Sequence, residues 1–264
     1  MGGVTEDFSG GLCRRWRRHV RGQGSVEQTG GALRFINAST SSSQYTNAQI
    51  DDYQRLSRRR FPWHPPLQLT VRARFSHEEG SLSGTAGFGF WNDPFLMTQR
   101  RIPAPPRAIW FFYSSAPSDI KLDVKAPGRG WKAATIDALR PAALLLAPLA
   151  VPAALLMNVP SLYRVLWPPV QRALHVRESL VAAAMTEWHT YRICWGVERA
   201  TFSVDGEGVL AHAPSPGAPL GFVMWLDNQY MVVKPWGRFR WGLLEEPSRQ
   251  WMEVERLVIE TGLS

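Results

Sequence analysis

Apolar and polar residues alternate strictly along Leu67–Phe75, the period of a strand with one buried face. Thr85–Trp91 and residues 108–113 are nearly all apolar or aromatic, as strands packed on both sides would be. Residues 24–36 read as two strands joined by a Thr29-Gly30-Gly31 turn. A second hairpin is expected over 188–210, where Asp205-Gly206 supplies the positive φ angles of a tight turn. Stretches 219–230 and 251–260 complete a set of strands that argues for a sandwich or a barrel.

The pattern fails over 132–187, which is rich in Ala, Leu and Met and shows no alternation. Prolines at 141, 148, 152, 160, 168 and 169 cut it into short helical pieces, and 169–185 has the best helical composition. It is too short and too apolar to hold a core of its own, so it reads as an insertion within one domain spanning 1–264. No residue between Arg140 and Arg164 is charged. Three placements follow: a buried cap over the sandwich, an interfacial membrane anchor, or a membrane span, the last disfavoured by the prolines.

Several segments resemble glycoside hydrolase family 16, the laminarinase and lichenase group. Trp188-His189-Thr190-Tyr191-Arg192-Ile193-Cys194-Trp195 is similar to that family's W-H-x-Y-x-x-x-W strand, and Phe202-Ser203-Val204-Asp205-Gly206 to the F-x-V-D-G hairpin after it. Residues 45–50, Leu67–Phe75 and 252–259 also fit, and the likeness covers about two-thirds of the chain. It implies an all-β fold, a two-sheet antiparallel β-sandwich of the concanavalin A-like jelly-roll type, carrying the apolar helical insertion. The family's chemistry rests on an E-x-D-x-E strand, whose alternate carboxylates share one face as nucleophile and acid/base. By order that strand is Ala108-Ile109-Trp110-Phe111-Phe112 here, without a carboxylate. Asp119-Ile120-Lys121-Leu122-Asp123 keeps a similar spacing as a displaced alternative. Hydrolysis of the family's kind is expected to be absent, and Trp110 and Phe112 would turn the concave face toward an apolar ligand or fill it.

Two further segments echo one another. Trp91, Asn92 and Asp93 follow Gly87-Phe88-Gly89-Phe90, and Trp225, Asp227 and Asn228 end Gly221-Phe222-Val223-Met224. On one sheet, Asp93 and Asp227 would flank a cleft as candidate acid and base, with Trp91 and Trp225 as stacking walls and Asn92 and Asn228 as polar contacts. The plainer reading makes the same acids turn openers and loop caps. Asp52 and Tyr53 are candidates for the rim.

Composition narrows the picture a little. Twelve tryptophans and twelve phenylalanines suit strands and ligand clefts alike. A net charge of +8 admits an anionic partner. Arginine clusters at 14–18, 58–60 and 100–101 carry no recognised nucleic-acid module, and no nucleic-acid partner is expected. Cys13 and Cys194 make no disulfide framework, the six histidines have no metal spacing, and neither a calcium loop nor a cofactor motif occurs. No apolar leader precedes Arg14, so a cytoplasmic location, peripheral to a membrane where Arg140, Arg164, Arg172 and Arg177 meet an anionic surface, is expected. The favoured function is binding or transformation of an apolar or amphipathic small molecule. The rivals are a carbohydrate-binding or carbohydrate-active protein and an interaction protein with a filled cleft.

Overall fold

The computed structural model describes residues 2–94 and 102–262, so Arg100 and Arg101 lie outside the described residues. With strands numbered along the chain, one sheet runs in the order β14 (Glu207–Pro214), β13 (Arg199–Val204), β12 (His189–Trp195), β6 (Leu67–Phe75), β18 (Gln250–Thr261), β4 (Ala32–Asn37) and β3 (Gly24–Thr29). An eighth strand, β1 (Val4–Glu6), also pairs with β18. The second sheet runs β11 (Arg177–Leu180), β10 (Gly130–Asp137), β8 (Arg107–Ser114), β7 (Thr85–Trp91), β15 (Gly221–Asp227), β5 (Asn47–Asp51) and β2 (Arg17–Arg21). Pairing within both sheets is antiparallel, and together they form the expected jelly-roll sandwich.

A third, small sheet joins β17 (Phe239–Leu243), β16 (Gln229–Val233) and β9 (Asp119–Ile120), the last paired in parallel. The core lies between the two large sheets. Trp131 packs edge-on against Phe75, Phe88 and Tyr191 with ring centroids 5.3, 5.8 and 5.5 Å away. β7 and β15 are buried on both faces, which is why their sequences show no alternation.

Leu67–Phe75 forms with the bounds its alternation predicts. Both hairpins also form: Gly30 and Gly31 have φ of +56° and +87°, and Asp205 and Gly206 have +50° and +89°. The left-handed region these turns need is open to glycine and tolerable for aspartate.

The insertion differs from expectation at both ends. Residues 132–137 belong to β10, whose small and apolar side chains are buried on both faces and so mimic helix composition. Helices α1 (Pro141–Leu146), α2 (Ala150–Leu156) and α3 (Pro160–Ala173) occupy the middle. Beyond them Arg177–Leu180 is an edge strand, where a helix over 169–185 was expected. α3 passes through Pro168 and Pro169 and buries Trp167, whose indole N–H donates to the Leu122 carbonyl. Helix ends carried by tertiary contacts of this kind do not show in local propensity.

Candidate functional site

Alternation along the second sheet assigns its outward, concave face. Phe88, Phe90, Ile109 and Phe111 point into the sandwich core, so Gly87, Gly89 and Trp91 on β7 and Ala108, Trp110 and Phe112 on β8 point the other way. In the ladder Trp225 stands opposite Gly87, and Trp110 opposite Gly89. A Cβ on Gly87 would lie 2.9 Å from the Trp225 ring, and one on Gly89 2.6 Å from the Trp110 Cβ. The two glycines thus let the indoles lie down on the sheet. Four aromatic rings form the floor. Trp91 and Trp225 stack 6.3 Å apart at 5°, while Trp110 sits 5.8 and 5.5 Å from them. Phe112 stacks on Trp110 at 5.3 Å.

Above this floor is a cavity of about 380 Å³, within the usual range of about 300–1,000 Å³ for small-molecule sites. Its roof is the third sheet, contributing Ile120, Tyr230, Met231, Val233 and Phe239. Leu174 and Val176, which follow α3, close one side. The lining is overwhelmingly apolar, and its polar members are Gln49, Thr85, Asp227 and Gln229 around the end of β15, Thr135, and Glu178 on β11.

Asp227 is buried at the end of β15. Its Oδ1 accepts from the Thr85 hydroxyl at 2.7 Å and the Gln229 N–H at 3.1 Å, and its Oδ2 from the Tyr45 hydroxyl at 3.2 Å. The Trp225 indole N–H in turn donates to the Thr85 oxygen at 2.9 Å. Burial outweighs these bonds and pushes the Asp227 carboxyl up to about 6. Glu178 is raised by burial too, against the pull of Lys132, whose Nζ lies 2.8 Å from its Oε2.

The sign of the Asp227 shift fixes a pH dependence. Between an unfolded value of 3.8 and a folded value of about 6, the native state holds the proton more tightly. The stability this contributes is complete below the lower value and is lost as pH rises through the window. Relative to Asp227→Asn, the parent protein is expected to lose about 2 kcal/mol between pH 4 and pH 6 and little beyond. Urea unfolding of both proteins across that range measures it, and a difference that grows in the opposite direction would refute the assignment.

The other expected site residues divide. Trp91, Trp110, Phe112 and Trp225 line the cavity with Asp227. Asp93 does not: it lies beyond Trp91, at the far end of the β7–β15 ladder from Asp227, and its carbonyl accepts from Arg58. The register therefore does not set Asp93 and Asp227 across one cleft as the sequence echo suggested, because antiparallel pairing places equivalent strand ends apart. Asn92 ties the loop, accepting from the Arg107 N–H and donating to the Pro105 carbonyl. Asn228 pins loops through its amide, which donates to the carbonyls of Ser41, Gln44 and Leu244. Asp52 is turned from the cavity and accepts from the Trp63 indole and the Phe222 N–H; burial pushes it up to about 7. Tyr53 supports the floor from its edge, its hydroxyl accepting from the Trp91 indole N–H at 2.6 Å.

Of the displaced alternative, Asp119 pairs with Lys234 in the third sheet, and Asp123 is buried against the backbone N–H groups of Lys125 and Glu178. Neither belongs to the concave sheet. The roof and Gln49 were not singled out from the sequence. Gln49 had a signal, since Asn47, Gln49 and Asp51 are alternate polar residues of one strand.

The sequence matches no family profile and no curated protein. Solved structures do match. A prokaryotic β-1,3-1,4-glucanase (lichenase) derived from a mouse hindgut metagenome is 12% identical, with a TM-score of 0.54 over 99% of this chain and 100% of that one. A glycoside hydrolase family 16 endo-glucanase from Bacteroides ovatus is 12% identical, at 0.53 over 97% and 99%. The Crh5 transglycosylase in complex with NAG is 14% identical, at 0.53 over 100% and 85%. The chain therefore has the jelly-roll fold of these carbohydrate-active enzymes.

Proposed function

We propose that the concave cavity binds an apolar or amphipathic small molecule, whose polar end would meet Gln49, Thr85 and Asp227. One observation carries this reading. On β8 the concave positions are held by Ala108, Trp110 and Phe112, and the rings, together with Trp91 and Trp225, make an apolar floor beneath an apolar roof. A sugar ring needs polar partners around its rim as well as a stacking surface, and few are offered here. Asp227 is the buried acid on this wall, the group placed to hydrogen-bond a ligand hydroxyl or to exchange a proton with it. Fold alone does not assign the ligand.

A second reading, a glycan, is favoured by the glucan-active relatives of the fold and by the parallel Trp91–Trp225 pair. One experiment separates the two. Tryptophan fluorescence is followed during titration with 1-dodecanol or with laminarin and lichenan oligosaccharides, and glucan solutions are assayed for new reducing ends. The apolar reading expects saturation with the alcohol, none with the oligosaccharides and no reducing ends. Ala134 lines the cavity on β10 between Trp110 and Glu178. Ala134→Phe should occupy that space and weaken alcohol binding at least about tenfold, with little change in melting temperature. Saturation by oligosaccharide alone, or indifference to Ala134→Phe, would overturn the apolar reading.

A further inference from the structure

The three helices between β10 and β11 cover little with their own apolar side chains. Leu145, Val151, Leu155 and Val165 are between 69% and 78% exposed, and Phe239 and Trp241 on β17 are 64% and 62% exposed. None of the three helices buries more than the pair Trp167 and Gln171 on α3, and α1 and α2 bury no residue. The helices pack against the turn that leads into β17. Tyr163 meets Trp236 edge-on at 5.2 Å, and the Asn158 amide donates to the Trp236 carbonyl at 3.4 Å. Exposed apolar side chains therefore flank both sides of this junction, and they reach the cavity itself, because Phe239 also lines it.

Basic residues dominate the helical side of this surface. From residue 138 to residue 177 the sequence holds no acid, while Arg140, Arg164, Arg172 and Arg177 are present. Arg238 and Arg240 flank Phe239 on the roof strand. Among the described residues none of these six arginines forms an ion pair with a carboxylate. Apolar side chains set among unneutralised cations complement a lipid surface of opposite charge, where arginines meet headgroups and leucines enter the acyl boundary. Among the described residues no helix is long and apolar enough to cross a membrane.

We propose that helices α1–α3 and strand β17 dock the protein flat on an anionic bilayer, with the cavity opening beside the lipid through Phe239. This rests on the apolar-ligand reading only for the purpose of the docking, since a cavity beside the acyl boundary can exchange its occupant with the bilayer.

The test is sedimentation with phosphatidylcholine vesicles, with and without phosphatidylglycerol. The parent protein is expected to sediment with the anionic vesicles, less with the neutral ones, and less but still measurably at high salt. The fourfold variant Leu145→Asn, Val151→Asn, Leu155→Asn, Val165→Asn changes only exposed side chains and should keep its melting temperature. Its vesicle partition coefficient should fall about a hundredfold or more. Arg164→Gln with Arg172→Gln should lower it about tenfold on anionic vesicles alone. Dodecanol titration of the fourfold variant reads the cavity separately and should be unchanged, so loss of docking and loss of ligand binding are told apart. Parent protein that ignores anionic vesicles, or a fourfold variant that binds them as before, would overturn the proposal. So would a concentration-dependent dimer of the parent that the fourfold variant abolishes in the absence of lipid, which would assign the face to a second copy.

Discussion

Gly89→Val is expected to leave almost no soluble, cooperatively folding protein. Gly89 has φ of +153° and lies in the middle of the second sheet, between Val223 on β15 and Trp110 on β8. Any Cβ there would stand 2.3 Å from the Ile109 carbonyl oxygen and 2.6 Å from the Trp110 Cα. Those contacts are with backbone, which cannot rotate aside, and a β-branched residue is a genuine outlier at positive φ. Relief requires β7 and β8 to part, which would break the ladder between Phe90↔Ile109 and Phe88↔Phe111 that carries both the core and the cavity floor. Gly208→Val is the control, because a Cβ at Gly208 on the edge strand β14 meets nothing within 4 Å. Soluble yield and thermal unfolding should separate the two variants clearly. A Gly89→Val protein that melts like the parent would show that the floor is not closed as described.

Lys132→Met is expected to cost about 3–5 kcal/mol, because it strands a buried carboxylate. Lys132 is fully buried on the concave side of β10, and its ammonium donates to Glu178 Oε2 at 2.8 Å and the Pro127 carbonyl at 3.3 Å. Burial raises the carboxyl of Glu178, also largely buried, and this lysine is the chief group pulling it back down. Without it the carboxyl must take a proton or expose itself, so the variant should regain stability as pH falls. The double variant Lys132→Met, Glu178→Gln removes both charges and should recover most of the loss, since neutral side chains of similar volume often replace a buried pair at little cost. Chemical denaturation of the four proteins of the cycle gives the coupling directly. A double variant as unstable as Lys132→Met would mean that packing around the lysine stem, and not its charge, holds this side of the sheet.

The sandwich was legible wherever one face of a strand is wet. β6 alternates because its partner face is solvated, and the turns at Gly30-Gly31 and Asp205-Gly206 announce themselves by their need for positive φ. Legibility fails where both faces are covered. β10 hides within an apparently helical composition because Ala133, Ala134 and Thr135 are buried on either side. The floor was half legible: Trp91, Trp110, Phe112 and Trp225 follow from strand order, but their convergence depends on the cross-strand glycines. The roof was not read as a roof, and its strand β9 was noted only as a displaced catalytic strand. It pairs Asp119 with Val232, residues far apart in the chain, through a strand of two residues. Local pattern carries no record of such a contact.

The chain of bonds from the Trp225 indole through the Thr85 hydroxyl to the Asp227 carboxyl has an optical meaning. The excited indole has a larger dipole than the ground state, and its emission colour follows the charge and polarity around it. A proton gained or lost two bonds down that chain changes the field at Trp225, and Trp91, stacked 6.3 Å away, shares its excitation. The floor is therefore a built-in chromophore for its own acid. Its emission, set among that of the chain's twelve tryptophans, should shift both when the cavity fills and when Asp227 loses its proton.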